Sequence, residues 1–288
     1  MTGTRQGTSN QPVRFVDAST RAVDAADATV VYRELGSEHG GVPLVALTHL
    51  GANLDSWDPE LVDPLAQHRR VIFLGYRGVG ASNGTVRDRF EEMAADAIAA
   101  IRALGLSRVD LLGLSMGGMV AQEIARQAPD LVERVVLAGT GPQGGPGLTV
   151  MTGVTVRTIL RGILTFTNPT TLLFFTRTPV GREAAKAYQA RLKLRRTGRD
   201  KPITPSVFRA QLRAVKRWGH QSPPASAFTQ PVLILHGDQD RMVPVGNADA
   251  LLARHPGADM QIFSDSGHGV AFQNRDSVTG IITRFLRR

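Results

Sequence analysis

The 288-residue sequence contains no cysteine. That absence excludes disulfide frameworks, cysteine-ligated zinc, iron–sulfur clusters and a thiol nucleophile together. None of its seven histidines falls in a His-x-x-x-His or Glu-x-x-His spacing, so a histidine metal site has no local support. Long apolar runs are missing as well. Stretches such as Leu172–Phe175 are far too short to span a bilayer. Met1 to Arg14 is polar and lacks the apolar centre of a secretory signal. These absences favour a soluble cytoplasmic protein. What is present, 42% hydrophobic and 20% charged residues, lies near the globular average and excludes wholesale disorder or collagen-like repeats. The length suffices to bury a sizeable core.

Acidic residues are scarce in one place only. Between Pro142 and Phe228 there are fifteen basic residues and two acidic ones, Glu183 and Asp200, a local balance of +13 in a chain whose total is +9. The rest of the chain therefore carries −4. This stretch is a separate unit of composition. Three readings fit it: solvated surface, attraction of an anionic substrate or membrane surface, and nucleic-acid binding, which no aromatic-interleaved basic motif supports. Thirty arginines against four lysines point to a compositional bias rather than a partner.

On either side of that stretch, apolar strand-like runs alternate with helical patterns. Ala28–Tyr32, Leu44–Thr48, Val71–Leu74, Val109–Leu112 and Val135–Ala138 read as buried strands. Arg87–Leu104 carries Phe90, Met93, Ala94, Ala97, Ile98 and Ile101 at helical spacing, with Thr85 and Asp88 as a cap and Gly105 at its end. A second helix runs from Met116 to Gln127. After the basic stretch come a strand at Val232–Leu235, a helix at Gly246–Arg254, a strand at Met260–Phe263 and a helix from Gly269 towards Arg287. Such alternation implies a mostly parallel sheet with helices on both faces. Residues 142–228, helical in tone at Ile159–Phe175 and Glu183–Leu194, read as a helical subdomain inserted into a core of residues 1–141 and 229–288.

In such sheets, sites form at the carboxyl ends of strands. The strand Val109–Leu112 runs into Gly113-Leu114-Ser115-Met116-Gly117-Gly118 and then a helix, the Gly-x-Ser-x-Gly elbow in its required setting. The tight reversal exposes the serine oxygen, and the helix start aims amides at an oxyanion beside it. A serine hydroxyl needs a base to take its proton. His268, in Ser264-Asp265-Ser266-Gly267-His268-Gly269, follows a late strand, and the run after Val232–Leu235 offers Asp238 and Asp240. The order serine, acid, histidine is the one the elbow predicts.

These residues make the chain resemble the α/β-hydrolase fold superfamily, in the style of its serine esterases and cofactor-free haloperoxidases or perhydrolases. The resemblance implies an eight-stranded, mostly parallel sheet with an inserted helical cap. It implies Ser115 as nucleophile, His268 as base and, from Gly237-Asp238-Gln239-Asp240 before Pro244, Asp240 as the acid. Asp238 is then a loop carboxylate bonding local amides. The oxyanion hole would use the Met116 amide and one from the loop His49-Leu50-Gly51-Ala52, either Leu50 or Gly51. His49, Trp57, Phe174 and Trp218 are candidate pocket residues, with bracing of the loop the alternative for His49 and apolar packing the alternative for the other three. In the turn Gly75-Tyr76-Arg77-Gly78, Gly75 stands where the family has an acid, which takes a local partner from Arg77.

Gly139-Thr140-Gly141-Pro142-Gln143-Gly144 has dinucleotide-site spacing, but Pro142 removes a phosphate-binding amide and no acid follows before Arg182. It reads as a flexible exit into the cap that the resemblance implies. The expected activity is hydrolysis of an ester, lactone or related carbonyl compound through an acyl-enzyme, on a small apolar substrate, with no cofactor, no nucleic acid and no stable membrane insertion. Two alternatives use the same residues, a perhydrolase and a carbon–carbon bond (diketone) hydrolase. A third is a non-catalytic ligand-binding homologue.

Overall fold

The structure, a computed structural model, describes residues 13–288, so the reading of the amino-terminal stretch falls almost wholly outside it. Eight strands form one sheet: β1 (Arg21–Ala25), β2 (Ala28–Leu35), β3 (Leu44–Leu47), β4 (Val71–Leu74), β5 (Val109–Leu114), β6 (Val132–Ala138), β7 (Val232–Gly237) and β8 (Asp259–Phe263). Their spatial order is β1-β2-β4-β3-β5-β6-β7-β8. β2 pairs antiparallel with β1 and β4, and every later pairing is parallel. β3, β4 and β5 are buried along their whole length, as expected of strands covered on both faces.

The helices are α1 (Pro59–Leu65), α2 (Phe90–Ala103), α3 (Met116–Gln127), α4 (Met151–Leu164), α5 (Pro169–Phe174), α6 (Pro179–Leu192), α7 (Pro205–His220), α8 (Gly246–Arg254), α9 (Val270–Gln273) and α10 (Arg275–Leu286). α2 packs on α3, which lies on β3, β5 and β6, and α1 packs on α10, which reaches β7. The last helix, expected to be continuous, breaks at Asn274, whose amide nitrogen bonds Ser266 Oγ at 2.8 Å and Val270 O at 3.1 Å. α2 begins at Phe90 with no side-chain cap. Of the expected capping pair Thr85 and Asp88, Asp88 is instead engaged by Arg213 and Arg217. The short strand β1 and the helices α1 and α7 were not foreseen.

Four helices, α4 to α7, lie between β6 and β7, and their charge is used for docking. Arg191 on α6 makes a two-pronged bond to Asp58, 2.7 Å on each prong, with both side chains buried. Arg199 reaches Asp55 at 3.3 Å, Arg195 the same carboxylate at 3.8 Å, and Arg213 on α7 reaches Asp88 at 3.0 Å alongside Arg217. Thus five of the fifteen basic residues are paired with carboxylates outside the stretch. Opposite net charge on the two parts has a structural use.

Two glycine-rich turns depart from expectation. Arg77 does have an acidic partner. Asp27, between β1 and β2, holds it with two bonds, one of 2.8 Å. Gly75 lies against β2, where a Cβ would sit 2.7 Å from Val31 O. The Gly139–Gly144 turn is pinned rather than loose, since Gly141 O accepts from Trp218 Nε1 and Gln122 Nε2, both at 3.1 Å.

Candidate active site

Ser115 joins β5 to α3 with φ 52° and ψ −115°. A non-glycine residue held there costs on the order of 1–3 kcal/mol, a strain that persists only where the surroundings enforce it. They do so by proximity: a Cβ on Gly113 would lie 2.4 Å from Gly118 Cα, and one on Gly117 would lie 2.2 Å from Leu47 O. The turn closes only with hydrogen at those positions.

Three side chains, each just past a strand end, meet there. His268 Nε2 lies 2.8 Å from Ser115 Oγ, and His268 Nδ1 lies 2.7 Å from Asp240 Oδ2. All three are buried. Asp240 Oδ1 accepts the amides of Met242 at 2.8 Å and Val243 at 2.9 Å, which fixes the carboxylate. Burial pushes that carboxyl up. The charge of His268 and hydrogen bonds from His236 and His268 outweigh burial and hold it at about 2. Asp238 turns away and accepts the Ser266 amide at 3.1 Å. An ionised carboxylate on Nδ1 fixes the tautomer that leaves Nε2 free to accept the serine proton.

His236 was quoted in the sequence but given no role. It is buried, donates from Nε2 to Val243 O at 2.8 Å, and the same nitrogen lies 3.5 Å from Asp240 Oδ2.

The loop after β3 runs beside the serine. His49 Nδ1 donates to Leu50 O at 3.0 Å, and Tyr76 Oη donates to Thr48 O at 3.0 Å. Burial pushes the His49 imidazole down to about 4, so it is neutral at physiological pH. The Gly51 amide is already occupied, donating to Gln211 Oε1 of α7 at 2.8 Å. Gln211 carried no motif. A polar residue on the buried stripe Val207, Ala210, Ala214, Trp218 is the signal that would have found it.

The cavity over Ser115 is lined by His49, Phe174, His268, Val270, Ala271 and Phe272 among others, with no arginine or lysine. Its volume is about 10 Å³, room for about one water. The Phe174 ring lies 4.7 Å from the His49 ring and 5.2 Å from that of His268. Two candidate pocket residues are elsewhere. Trp57 is buried against Phe73 at 5.4 Å, and Trp218 packs on Phe90 at 5.5 Å. Large rings at buried helical and loop positions filled the core rather than the cavity.

The sequence profile described as the alpha/beta hydrolase fold matches residues 42–274. The chain belongs to that family. An alpha/beta hydrolase fold protein from Chitinophaga pinensis superposes with a TM-score of 0.90 at 29% identity, over 95% of this chain and 99% of that one. A poly(3-hydroxyalkanoate) depolymerase of Ectopseudomonas oleovorans is 28% identical over 253 residues, 85% of this chain and 84% of the relative. A 2-hydroxy-6-oxononadienedioate/2-hydroxy-6-oxononatrienedioate hydrolase of Burkholderia vietnamiensis is 28% identical over 279 residues, 92% and 93% of the two chains. This alpha/beta hydrolase thus has one relative named as a depolymerase and one named as a hydrolase.

Proposed function

We propose that the protein is a serine hydrolase of apolar esters, lactones or related carbonyl compounds, working through an acyl-enzyme. Ser115 attacks the carbonyl carbon while His268 Nε2 takes its proton, and Asp240 stabilises the imidazolium that forms. The negative charge on the carbonyl oxygen is met by the Met116 amide at the start of α3 and by the Leu50 amide. Leu50 is chosen over Gly51 because the Gly51 amide is bonded to Gln211. His268 then returns the proton to the leaving group, water enters, and the same steps run once more to release the acid. Residues 142–228 act as the cap, with Phe174 as the part of the roof a substrate must displace.

The observation that carries this reading is the unbroken chain of short contacts Ser115–His268–Asp240, at 2.8 and 2.7 Å. Ser115→Ala should fold as the parent does and lose p-nitrophenyl acetate turnover by several orders of magnitude. A fluorophosphonate should label the parent at Ser115. Retained turnover in the variant, or a parent that binds small esters without being labelled, overturns the proposal, the latter in favour of a non-catalytic homologue.

Carbon–carbon hydrolysis is a second reading, supported by the Burkholderia vietnamiensis relative. A diacid of the kind that relative is named for needs cationic contacts, and the lining of this cavity contains neither arginine nor lysine. The immediate surroundings of Ser115 thus offer such a diacid no cation, which supports the reading with uncharged substrates.

A further inference from the structure

Helix α4 is built inside out. The residues it buries are Met151, Thr155 and Gly162, mostly small or polar, while Val156, Leu160, Ile163 and Leu164 face solvent. Their spacing of four, three and one places them on one outward stripe. Phe166, just past the helix, is fully exposed at φ 50° in a turn closed by the Thr167 amide on Gly162 O at 2.9 Å. With Val150, six of the nine exposed large hydrophobic residues among the described residues fall within this one element and its ends. Scattered exposed apolar residues are ordinary; a concentrated set marks an interaction surface.

The charge around the stripe selects the partner. Arg157 and Arg161 alternate with the apolar residues along α4. Arg177, after α5, is close enough to Arg241 and Arg161 for their charges to push its guanidinium down. None of these four arginines makes an ion pair among the described residues, in contrast to the five that dock α6, α7 and their neighbours to the core. Glu183 and Asp200 are the acidic residues of the whole stretch, and Asp200 is engaged with the amides of Leu54 and Ala81. A second copy of the chain would bring like charges together at this face. An anionic lipid headgroup layer over acyl chains matches both parts of it.

We propose that the outer face of α4, with Phe166, docks the protein on anionic lipid bilayers. Val156, Leu160, Ile163 and Phe166 enter the headgroup–acyl boundary, and Arg157, Arg161 and Arg177 meet headgroup phosphates. The mode is peripheral: no helix of the described residues is long and apolar enough to cross a membrane. The surface adjoins α5, whose last residue, Phe174, lines the cavity over the serine.

Co-sedimentation of the full chain with vesicles tests this, with readouts independent of turnover. The protein should pellet with phosphatidylglycerol–phosphatidylcholine vesicles, not with phosphatidylcholine alone, and should be released by high salt. The double variant Arg157→Gln/Arg161→Gln should weaken partitioning on the order of 30-fold. The triple variant Leu160→Ser/Ile163→Ser/Phe166→Ser, with parental circular dichroism and melting, should stay in the supernatant. Absence of pelleting with the anionic vesicles, equal pelleting with neutral ones, or a triple variant that pellets like the parent overturns the proposal. So does concentration-dependent dimerisation in sedimentation velocity that the triple variant abolishes while vesicle binding is absent.

Discussion

Gln211, buried on α7, accepts the amide hydrogen of Gly51 at 2.8 Å, across 160 residues of sequence. One contact thereby ties the helical segment between β6 and β7 to the loop that flanks the serine. It also commits one of the two candidate amides, which is why the proposed oxyanion hole uses that of Leu50.

Replacing that glutamine should therefore affect chemistry more than binding. Gln211→Leu frees the Gly51 amide and lets the loop drift, and a displacement of about 1 Å can cost about 100-fold in rate. The expected result is a fall of about 10- to 100-fold in kcat with KM little changed, and a smaller fall for Gln211→Glu, which keeps an acceptor. Steady-state kinetics on p-nitrophenyl acetate check it; equal damage in both variants would show that the side chain acts through packing alone.

The Phe174 ring lies 5.2 Å from that of His268 and lines the cavity over Ser115, which is the proposed acyl route. Phe174→Ala should lower stability by about 3 kcal/mol. It should also raise kcat/KM for p-nitrophenyl octanoate relative to acetate on the order of 10-fold, since pocket volume discriminates acyl chains by a few kcal/mol at most. An unchanged ratio would place the acyl route elsewhere.

His49 makes stability depend on pH. Burial holds its folded-state value at about 4, below the unfolded 6.5, so the unfolded chain binds the extra proton between those limits. The stabilisation is full above pH 6.5 and is lost as pH falls towards 4, a change of about 3 kcal/mol. His255, also pushed down by burial, acts in the same direction. Urea unfolding at pH 7 and pH 4.5 should show the loss, and His49→Gln should remove the larger part of it. A parallel pH dependence in parent and variant would refute the assignment.

The Arg191–Asp58 pair is buried on both sides. Arg191→Met strands a carboxylate and should cost about 3–5 kcal/mol. Adding Asp58→Asn neutralises that charge and keeps the acceptor that caps α1, where Asp58 Oδ1 meets the Glu60 amide at 3.1 Å. The double variant should recover most of the loss in chemical denaturation. A single variant costing under about 1 kcal/mol would mean that water already compensates the pair.

The legible parts of the chain were those with short-range causes. β4, α3 and α8 have the bounds that their apolar runs and flanking breakers predict. β1 was missed because it is a short edge strand, largely exposed, whose alternation Arg21-Ala22-Val23-Asp24 is too brief to stand out. Arg77 found its acid in a different loop, at Asp27, which no motif window contains.

The sequence by itself determined the elbow at Ser115, because a strand-to-helix reversal demands glycine at fixed offsets, and it determined the order of serine, acid and histidine. Tertiary structure alone decided which loop amide is committed to Gln211, whether Trp57 and Trp218 fill the core or line the cavity, and which arginines meet Asp55, Asp58 and Asp88 and which face solvent. The physical reason is range. Turn and helix chemistry acts over a few residues and leaves a pattern. A hydrogen bond or ion pair between segments more than a hundred residues apart depends on how whole layers pack, and leaves none.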